Sequence, residues 1–435
     1  MRLVEVFRKL GDKAGIHIIL LVASISRLWN LHLPKELVFD ETYYVKDSYT
    51  LWRFGHERKW PEGANTDFVS GNLDVVIDEP QFVVHAPLGK WLIGLGMQVF
   101  GPTNPFGWRI ITALFGVLAV WLIYLAALRL IGSKRWALLP AFMLAIDGQA
   151  IVVSRTAILD GILTTFVLLG FYLLLRSLTA AKPLRWLALM AITLGLGAGV
   201  KWSALIFLGV FVAYYMIHAG WHWKSILSRS YAVLTLPVAL TFYLATWTGW
   251  FLTQGWGFRK DNVIASFIEF HQQMYKFHST LQTPHPYEAS PLTWLGMLRP
   301  TSFYFEKSGS DVVAINPLGN PIFWVGGIVA LGFLFSWFAT NRDRLSLLVF
   351  SGYVAGYLPW IIYSERTAFQ FYSATFAPWI FLTITIMAFR YKLRRTVAIG
   401  AVLAFLLFLY FLPLYLGLEM PFWFWASHMW LPTWV

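Results

Sequence analysis

Run after run of about 17–25 apolar residues, parted by short charged connections, fills almost the whole of this chain. A run of that length crosses about 30 Å of hydrocarbon as a helix, and in hydrocarbon a helix satisfies its own backbone N–H and C=O groups. The runs predict spans near 15–33, 109–130, 136–153, 157–176, 185–199, 200–219, 231–250, 320–339, 345–363, 369–389 and 396–417. The expected fold class is therefore an all-α polytopic membrane protein with about eleven transmembrane helices. With 58% hydrophobic and only 13% charged residues, a soluble globule is excluded.

Sidedness follows from Lys and Arg, which favour short cytoplasmic connections. Alternate connections carry Arg2, Arg8, Lys9 and Lys13; Arg129, Lys134 and Arg135; Arg176, Lys182 and Arg185; Lys224 and Arg229; Arg342 and Arg344; and Arg390, Lys392, Arg394 and Arg395. Glu5, Asp12 and Asp343 are the acids among them. This places the N-terminus in the cytoplasm and the C-terminus outside, in a plasma (inner) membrane. Two places test the parity. Residues 87–100 are too few to span and read as an interfacial helix on the outer face; residues 185–219 must form two short spans broken at Gly195-Leu196-Gly197-Ala198-Gly199. The first apolar run leads into Arg27-Leu28-Trp29-Asn30 without a small-x-small cleavage site and reads as a retained signal anchor.

The net charge of +12 is scattered over these loops, which argues for membrane topology and against a nucleic-acid partner. Cysteine is absent, so disulfides and thiolate chemistry are excluded. No internal repeat or low-complexity stretch is evident. The chain reads as a single integral membrane domain, 1–435, with two large outer loops. The first, 34–108, holds Asp40-Glu41 and the interfacial helix. The second, 251–319, is polar, aromatic and proline-bearing, and reads as a lid or acceptor region.

Ionisable residues gather at the outer boundary. Arg109 opens the second span, Arg155 and Asp160 lie in Ser154-Arg155-Thr156-Ala157-Ile158-Leu159-Asp160, and Lys201-Trp202 follows the glycines. Singly, each is explained as a snorkelling side chain; collected at one depth, they predict a site for an anionic head group. A carboxylate there can accept a proton from an attacking hydroxyl, while Arg and Lys neutralise charge on a departing phosphate. Asp40 and Glu41 would point about 100° apart on a helix, so one can be the base while the other holds neighbouring groups. His85 and His285 are hydrogen-bonding candidates without metal-ligand spacing. Lys90, Arg155 and Asp160 are either pocket-supporting ion-pair partners or substrate contacts.

Phe39-Asp40-Glu41, His85-Ala86-Pro87-Leu88-Gly89-Lys90, Ser154-Arg155 with Leu159-Asp160, Val200-Lys201-Trp202, and His285-Pro286-Tyr287 with Ser290 and Trp294 together resemble the protein O-mannosyltransferases. These are C-type, lipid-phosphate-dependent glycosyltransferases, and the likeness runs in order from about residue 35 to the C-terminus. The resemblance implies transfer of mannose from polyprenyl-phosphate-mannose, with inversion, to Ser/Thr hydroxyls of secreted or membrane proteins. It implies Asp40 and Glu41 as catalytic groups, Arg109 and Lys201 on the donor phosphate, and His85, Lys90, Arg155, Asp160, His285 and Tyr287 in supporting or substrate-binding positions. No cofactor and no metal is implied, the lipid-linked sugar being a substrate. Ala86 stands where the family usually has proline, and the second loop is too short for the eukaryotic β-trefoil, as in compact bacterial members. A sugar acceptor of lipid or glycan type is the alternative reading. A flippase or transporter would instead carry charge at mid-membrane and show repeated halves.

Overall fold

A computed structural model describes residues 2–253 and 262–435. Residues 254–261 of the expected second outer loop, and the side chains of Arg2, Glu5, Arg8, Lys9, Asp12 and Lys13, lie outside the described part. The chain runs through α1 (Arg2–Leu28), α2 (Glu41–Phe54), α3 (Asn65–Ser70), α4 (Leu88–Phe100), α5 (Pro105–Ile131), α6 (Lys134–Ile146), α7 (Gly148–Arg155), α8 (Leu159–Thr179), α9 (Pro183–Ala198) and α10 (Ser203–Ile217). It continues through α11 (Trp223–Leu227), α12 (Thr235–Ala245), α13 (Thr248–Leu252), α14 (Val263–Thr280), α15 (Pro321–Asn341), α16 (Arg344–Gly356), α17 (Leu358–Ile362), α18 (Ala377–Arg390), α19 (Arg394–Leu416) and α20 (Phe422–His428).

The sequence sets many of these boundaries locally. Asn104 and Asn320 each accept a hydrogen bond from the backbone two residues on, and each is followed by a proline in the first helical position. Gly132 and Gly417 end α5 and α19 in the left-handed conformation that glycine adopts without strain. Gly195 lets α9 press on α12, since a Cβ there would lie 2.3 Å from the Ala239 carbonyl oxygen.

Every expected span is occupied by helix, but not always by one long helix. Among the described residues, five helical stretches are long and apolar enough to cross a membrane, and six if the bent pair α6–α7 is one span. That pair bends by 57° at Asp147. Five shorter apolar helices, Ala14–Leu28, Pro183–Ala198, Ser203–Ile217, Arg344–Gly356 and Ala377–Arg390, fall in the expected spans 15–33, 185–199, 200–219, 345–363 and 369–389 without filling all of them. The expected break in 185–219 falls between α9 and α10, and the expected amphipathic segment 87–100 is α4, packed on α2 and α5. The all-α expectation needs a correction. A three-stranded antiparallel sheet, β1 (Tyr304–Ser308), β2 (Asp311–Ile315) and β3 (Glu419–Pro421), ties the second loop to the residues after α19. In β2 the buried Val312 and Ala314 alternate with the half-buried Asp311 and Val313, a two-residue period too short for a search for long apolar runs to find.

The basic connections meet one another at one end of the bundle. Arg390 bonds Asp343 and Ser346, Arg344 reaches the Ala219 carbonyl, and Trp136 packs on Phe389. The starts of α2, α8 and α10 meet elsewhere, around the cavity described below. The sidedness argument predicts that single cysteines at exposed Ser70 and Ser308 react with an impermeant thiol reagent in intact cells, while one at exposed Ser228 reacts only after permeabilisation. The chain's lack of native cysteine makes labelling by mass shift the direct measurement.

Candidate functional site

The adjacent carboxylates Asp40 and Glu41 have opposite surroundings. Glu41 is wholly buried, and both its oxygens are saturated. Its Oε1 accepts from Arg109 Nε (2.7 Å) and the Ala157 N–H (2.8 Å), and its Oε2 from Arg109 Nη2 (2.8 Å) and the Val38 N–H (3.0 Å). Arg109 spends its remaining donors on the carbonyls of Leu31 (3.2 Å), Pro34 (2.8 Å) and Glu36 (3.0 Å). All five guanidinium N–H groups are thereby used within the protein. The geometry thus departs from the expected roles of both residues: Glu41 faces no cavity, and Arg109 has no donor left for a phosphate.

Among the described residues Asp40 has no side-chain hydrogen bond, although it stands at the N-cap of α2. It is aimed by Phe39, whose φ of +50° is strained for a bulky residue. The Phe39 ring stacks on Phe303 (4.4 Å between centroids) and meets Phe369 and Phe371 edge-on. Burial raises the Asp40 carboxyl to about 6, Lys201 opposing and Asp160 reinforcing the shift.

Lys201 and Asp160 form an ion pair of 2.8 Å, bringing the end of the α9–α10 break to the first turn of α8. They line a cavity of about 300 Å³ with His85, Trp202, His278, Arg366 and Tyr372. One wall is apolar and comes from α10 and the α16–α17 break: Ile206, Phe207, Ala355, Gly356 and Pro359. Arg366 is the residue that the sequence reading missed. Among the described residues its Nε and Nη1 are shielded from solvent without a hydrogen-bond partner, while the guanidinium lies 5.5 Å from the Trp360 ring centre, interacts with the Tyr372 hydroxyl and makes a long contact of 3.5 Å from Nη2 to His278 Nδ1. A guanidinium so placed is an anion site in waiting. The available signal was a lone arginine in the short outer connection between the expected spans 345–363 and 369–389.

The histidines stay uncharged. His278 Nε2–H donates to the Val84 carbonyl at 2.6 Å, and its ring lies 4.9 Å from that of His85. Burial, with the nearby Arg366 and Lys201, lowers His278 to about 4 against the opposing bond to Val84. His85 is pushed well below its usual range by burial, Lys201 and His278. Both rings can therefore offer hydrogen bonds to a hydroxyl-bearing ligand without adding charge.

The other expected residues support the site from outside the cavity. Lys90 is buried between Glu57, its direct partner, and Asp47 at 3.7 Å, holding α4 to the first loop. Burial raises Asp47 to about 7 despite Lys90. Arg155 caps the end of α1 by bonding the carbonyls of Ser26, Arg27, Trp29 and Asn30 at 2.8–3.3 Å. His285 accepts from the Tyr287 N–H and meets Phe369 edge-on at 4.9 Å, so both lie at the rim of the aromatic cluster holding Phe39. Among the described residues, no three His, Asp or Glu side chains converge as metal ligands would.

Residues 17–253 match the family model for dolichyl-phosphate-mannose-protein mannosyltransferase. Residues 263–434 match that for the C-terminal four-TMM region of protein-O-mannosyltransferase. The polyprenol-phosphate-mannose–protein mannosyltransferase of Mycolicibacterium smegmatis is 28% identical, across 96% of this chain and 92% of its own length. Its namesake in Corynebacterium glutamicum is 27% identical across 97% and 92%. The S. cerevisiae Pmt1-Pmt2 complex bound to the sugar donor superposes with a TM-score of 0.77 at 14% identity, covering 98% of this chain and 92% of that one. ArnT from Cupriavidus metallidurans bound to undecaprenyl phosphate gives 0.57 at 16% identity, covering 86% and 59%. At those identities the two solved structures speak for the fold.

Breaking a buried, hydrogen-bonded ion pair from one side leaves a charge without a partner and costs about 3–5 kcal/mol. Glu41→Gln and Arg109→Met are therefore each expected to lower the unfolding midpoint of the purified protein sharply in a detergent thermal melt. The folded fraction of Arg109→Met should still bind polyprenyl phosphate with unchanged affinity.

Proposed function

This chain belongs to the dolichyl-phosphate-mannose-protein mannosyltransferase family, and from that premise we propose that it transfers mannose from polyprenyl-phosphate-mannose to Ser/Thr hydroxyls of polypeptides at the outer face of the membrane. The observation that carries the reading is the contrast within the acidic pair. Glu41 is consumed by structure, whereas Asp40 is unpartnered, raised to about 6 and electrostatically coupled to the cavity of Lys201 and Arg366.

In the proposed reaction the acceptor oxygen attacks the anomeric carbon on the face opposite the phosphate, and the bond from that carbon to the phosphate oxygen breaks. The hydroxyl proton passes to Asp40, and the bonding pair leaves with the polyprenyl phosphate. Lys201, held by Asp160, and Arg366 stabilise the charge growing there. A single displacement inverts the anomeric centre and needs one base, which suits a site with one free carboxylate. The two cations supply the charge compensation, and we read the reaction as needing no metal. The apolar wall from α10 and the α16–α17 break would give the first part of the polyprenyl chain an apolar surface. His85 and His278, both neutral, suit sugar hydroxyls.

Two experiments test these assignments. Asp40→Asn keeps the shape and removes the base, so turnover should fall by at least about a hundredfold. In the wild type kcat/KM should rise about tenfold per pH unit below about 6 and level off above, because the deprotonated carboxylate is the active form. Near-normal turnover in Asp40→Asn would remove it from the mechanism. Separately, Arg366→Ala and Lys201→Ala should each weaken binding of sugar-free polyprenyl phosphate by about tenfold or more, as expected for lost charge-assisted hydrogen bonds. Unchanged affinity in both would move the phosphate elsewhere.

A further inference from the structure

The small sheet presents an unfinished edge beside the proposed base. Its order is β1-β2-β3, so β1 has a partner on one side only. Gly309 (φ +60°) and Ser310 form a two-residue turn, with Ser308 and Asp311 as the closing pair. In an antiparallel ladder, residues bonded to the partner alternate with residues whose N–H and C=O point the other way. Counting back from Ser308, the backbones of Phe305 and Lys307 face the open edge. Among the described residues, neither backbone bonds outside its strand. Natural sheets usually blunt such an edge or use it.

The open strand leads directly to Asp40. Phe303, the residue before β1, stacks on Phe39, the residue before Asp40. The Tyr304 hydroxyl reaches Glu36 Oε2 at 3.2 Å, fastening the start of the strand to the segment that carries the acidic pair. One face of the strand is occupied, Phe305 packing on Trp425 at 4.9 Å and Lys307 lying over Phe422 at 4.2 Å. Among the described residues nothing covers the edge, and all residues from Phe305 to Ser308 are exposed.

We propose that the acceptor polypeptide docks as an extended fourth strand on the free edge of β1, so that its Ser or Thr is delivered past the Phe39–Phe303 stack to Asp40. This rests on the mannosyltransferase reading and specifies how its protein substrate is held. Main-chain hydrogen bonds give affinity without demanding a sequence, while alternate side chains of the guest face the aromatic cluster of Phe39, Phe369 and Phe371. An extended segment also presents its hydroxyl clear of its own backbone, which a helical acceptor would not.

The test uses the full-length enzyme, a synthetic polyprenyl-phosphate-mannose and a Ser/Thr peptide. Lys307→Pro removes the outward N–H at a position where an edge strand tolerates proline, and Lys307→Ala removes the side chain alone. The proline variant should raise the acceptor KM at least tenfold with wild-type thermal stability and unchanged polyprenyl-phosphate affinity, and the alanine variant should stay within about twofold of wild type. Acceptor peptides N-methylated one position at a time should lose transfer with a period of two residues. Uniform tolerance of N-methylation would overturn the proposal, as would an unchanged acceptor KM in Lys307→Pro. So would an altered oligomeric state of that variant with the KM unmoved, which would assign the edge to a second copy of this chain. Should Lys307→Pro melt early, the methylated-peptide series on the wild type decides alone. Absence of transfer to any peptide by the wild type would count against the mannosyltransferase reading itself.

Discussion

The buried pair of Glu41 and Arg109 holds the rest of the site in register. Its hydrogen bonds reach Leu31, Pro34, Glu36, Val38 and Ala157, so one carboxylate and one guanidinium join the end of α1, the first loop, α5 and the α7–α8 turn. A buried ion pair is not in itself a source of stability, because desolvation offsets much of the attraction. Here every donor and acceptor is matched, and what the pair contributes is a fixed position for the residue next to it. With Glu41 immobile and Phe39 clamped between aromatic rings, Asp40 has little freedom to turn away from Lys201 and Asp160.

The same device recurs around the site. Arg155 is spent on the last carbonyls of α1, and Arg27 on the Leu144 and Ala145 carbonyls at 2.9 and 3.0 Å. Cations at helix C-termini meet oxygens that have lost their intrahelical partners. Lys90 with Glu57 and Asp47 does for α2 and α4 what Arg109 does for α5. Against this background of saturated charge, unpartnered groups are informative. Asp40 and the Arg366 guanidinium stand out because Glu41, Arg109, Arg155 and Lys90 around them are paired.

Much of this could be read in the sequence, and the omissions have identifiable physics. Apolar run length located the helical regions, because in hydrocarbon length and polarity decide the matter, although among the described residues five or six of the eleven expected spans are helices long and apolar enough to cross. It did not foresee the bend at Asp147 or the break at Tyr357, which depend on capping and on proline within an apolar run. The hairpin of 304–315 was missed because its strands are short, and its pairing to 419–421 because that contact is one no local pattern encodes. At the site, the boundary position of Asp40, Asp160 and Lys201 marked them correctly as neighbours. Arg109 was taken for a ligand because a cation opening a span looks the same whether it faces a cavity or a carboxylate. Only the count of its five bonded donors separates the two. Arg366 was passed over because a single arginine in a short outer connection carries no motif.

The charge arrangement also explains why the base should be the less basic-looking member of the pair. The cavity and its edge hold two carboxylates, Asp40 and Asp160, and two cations, Lys201 and Arg366, while His85 and His278 remain neutral. A donor phosphodiester adds one negative charge. In the proposed transfer Asp40 would become neutral as it takes the acceptor proton, just as the departing phosphate gains charge beside Lys201 and Arg366. The net charge of the enclosed site then stays constant while negative charge moves from an unpartnered carboxylate to a place with two cations. Burial that raises Asp40 to about 6 favours the start of that movement, and the free guanidinium donors favour its end. Had Glu41 been the base, proton uptake would have cost the Arg109 pair and loosened the loop that positions the acceptor. Confining proton transfer to the one carboxylate without structural duties lets chemistry proceed while the frame stays intact.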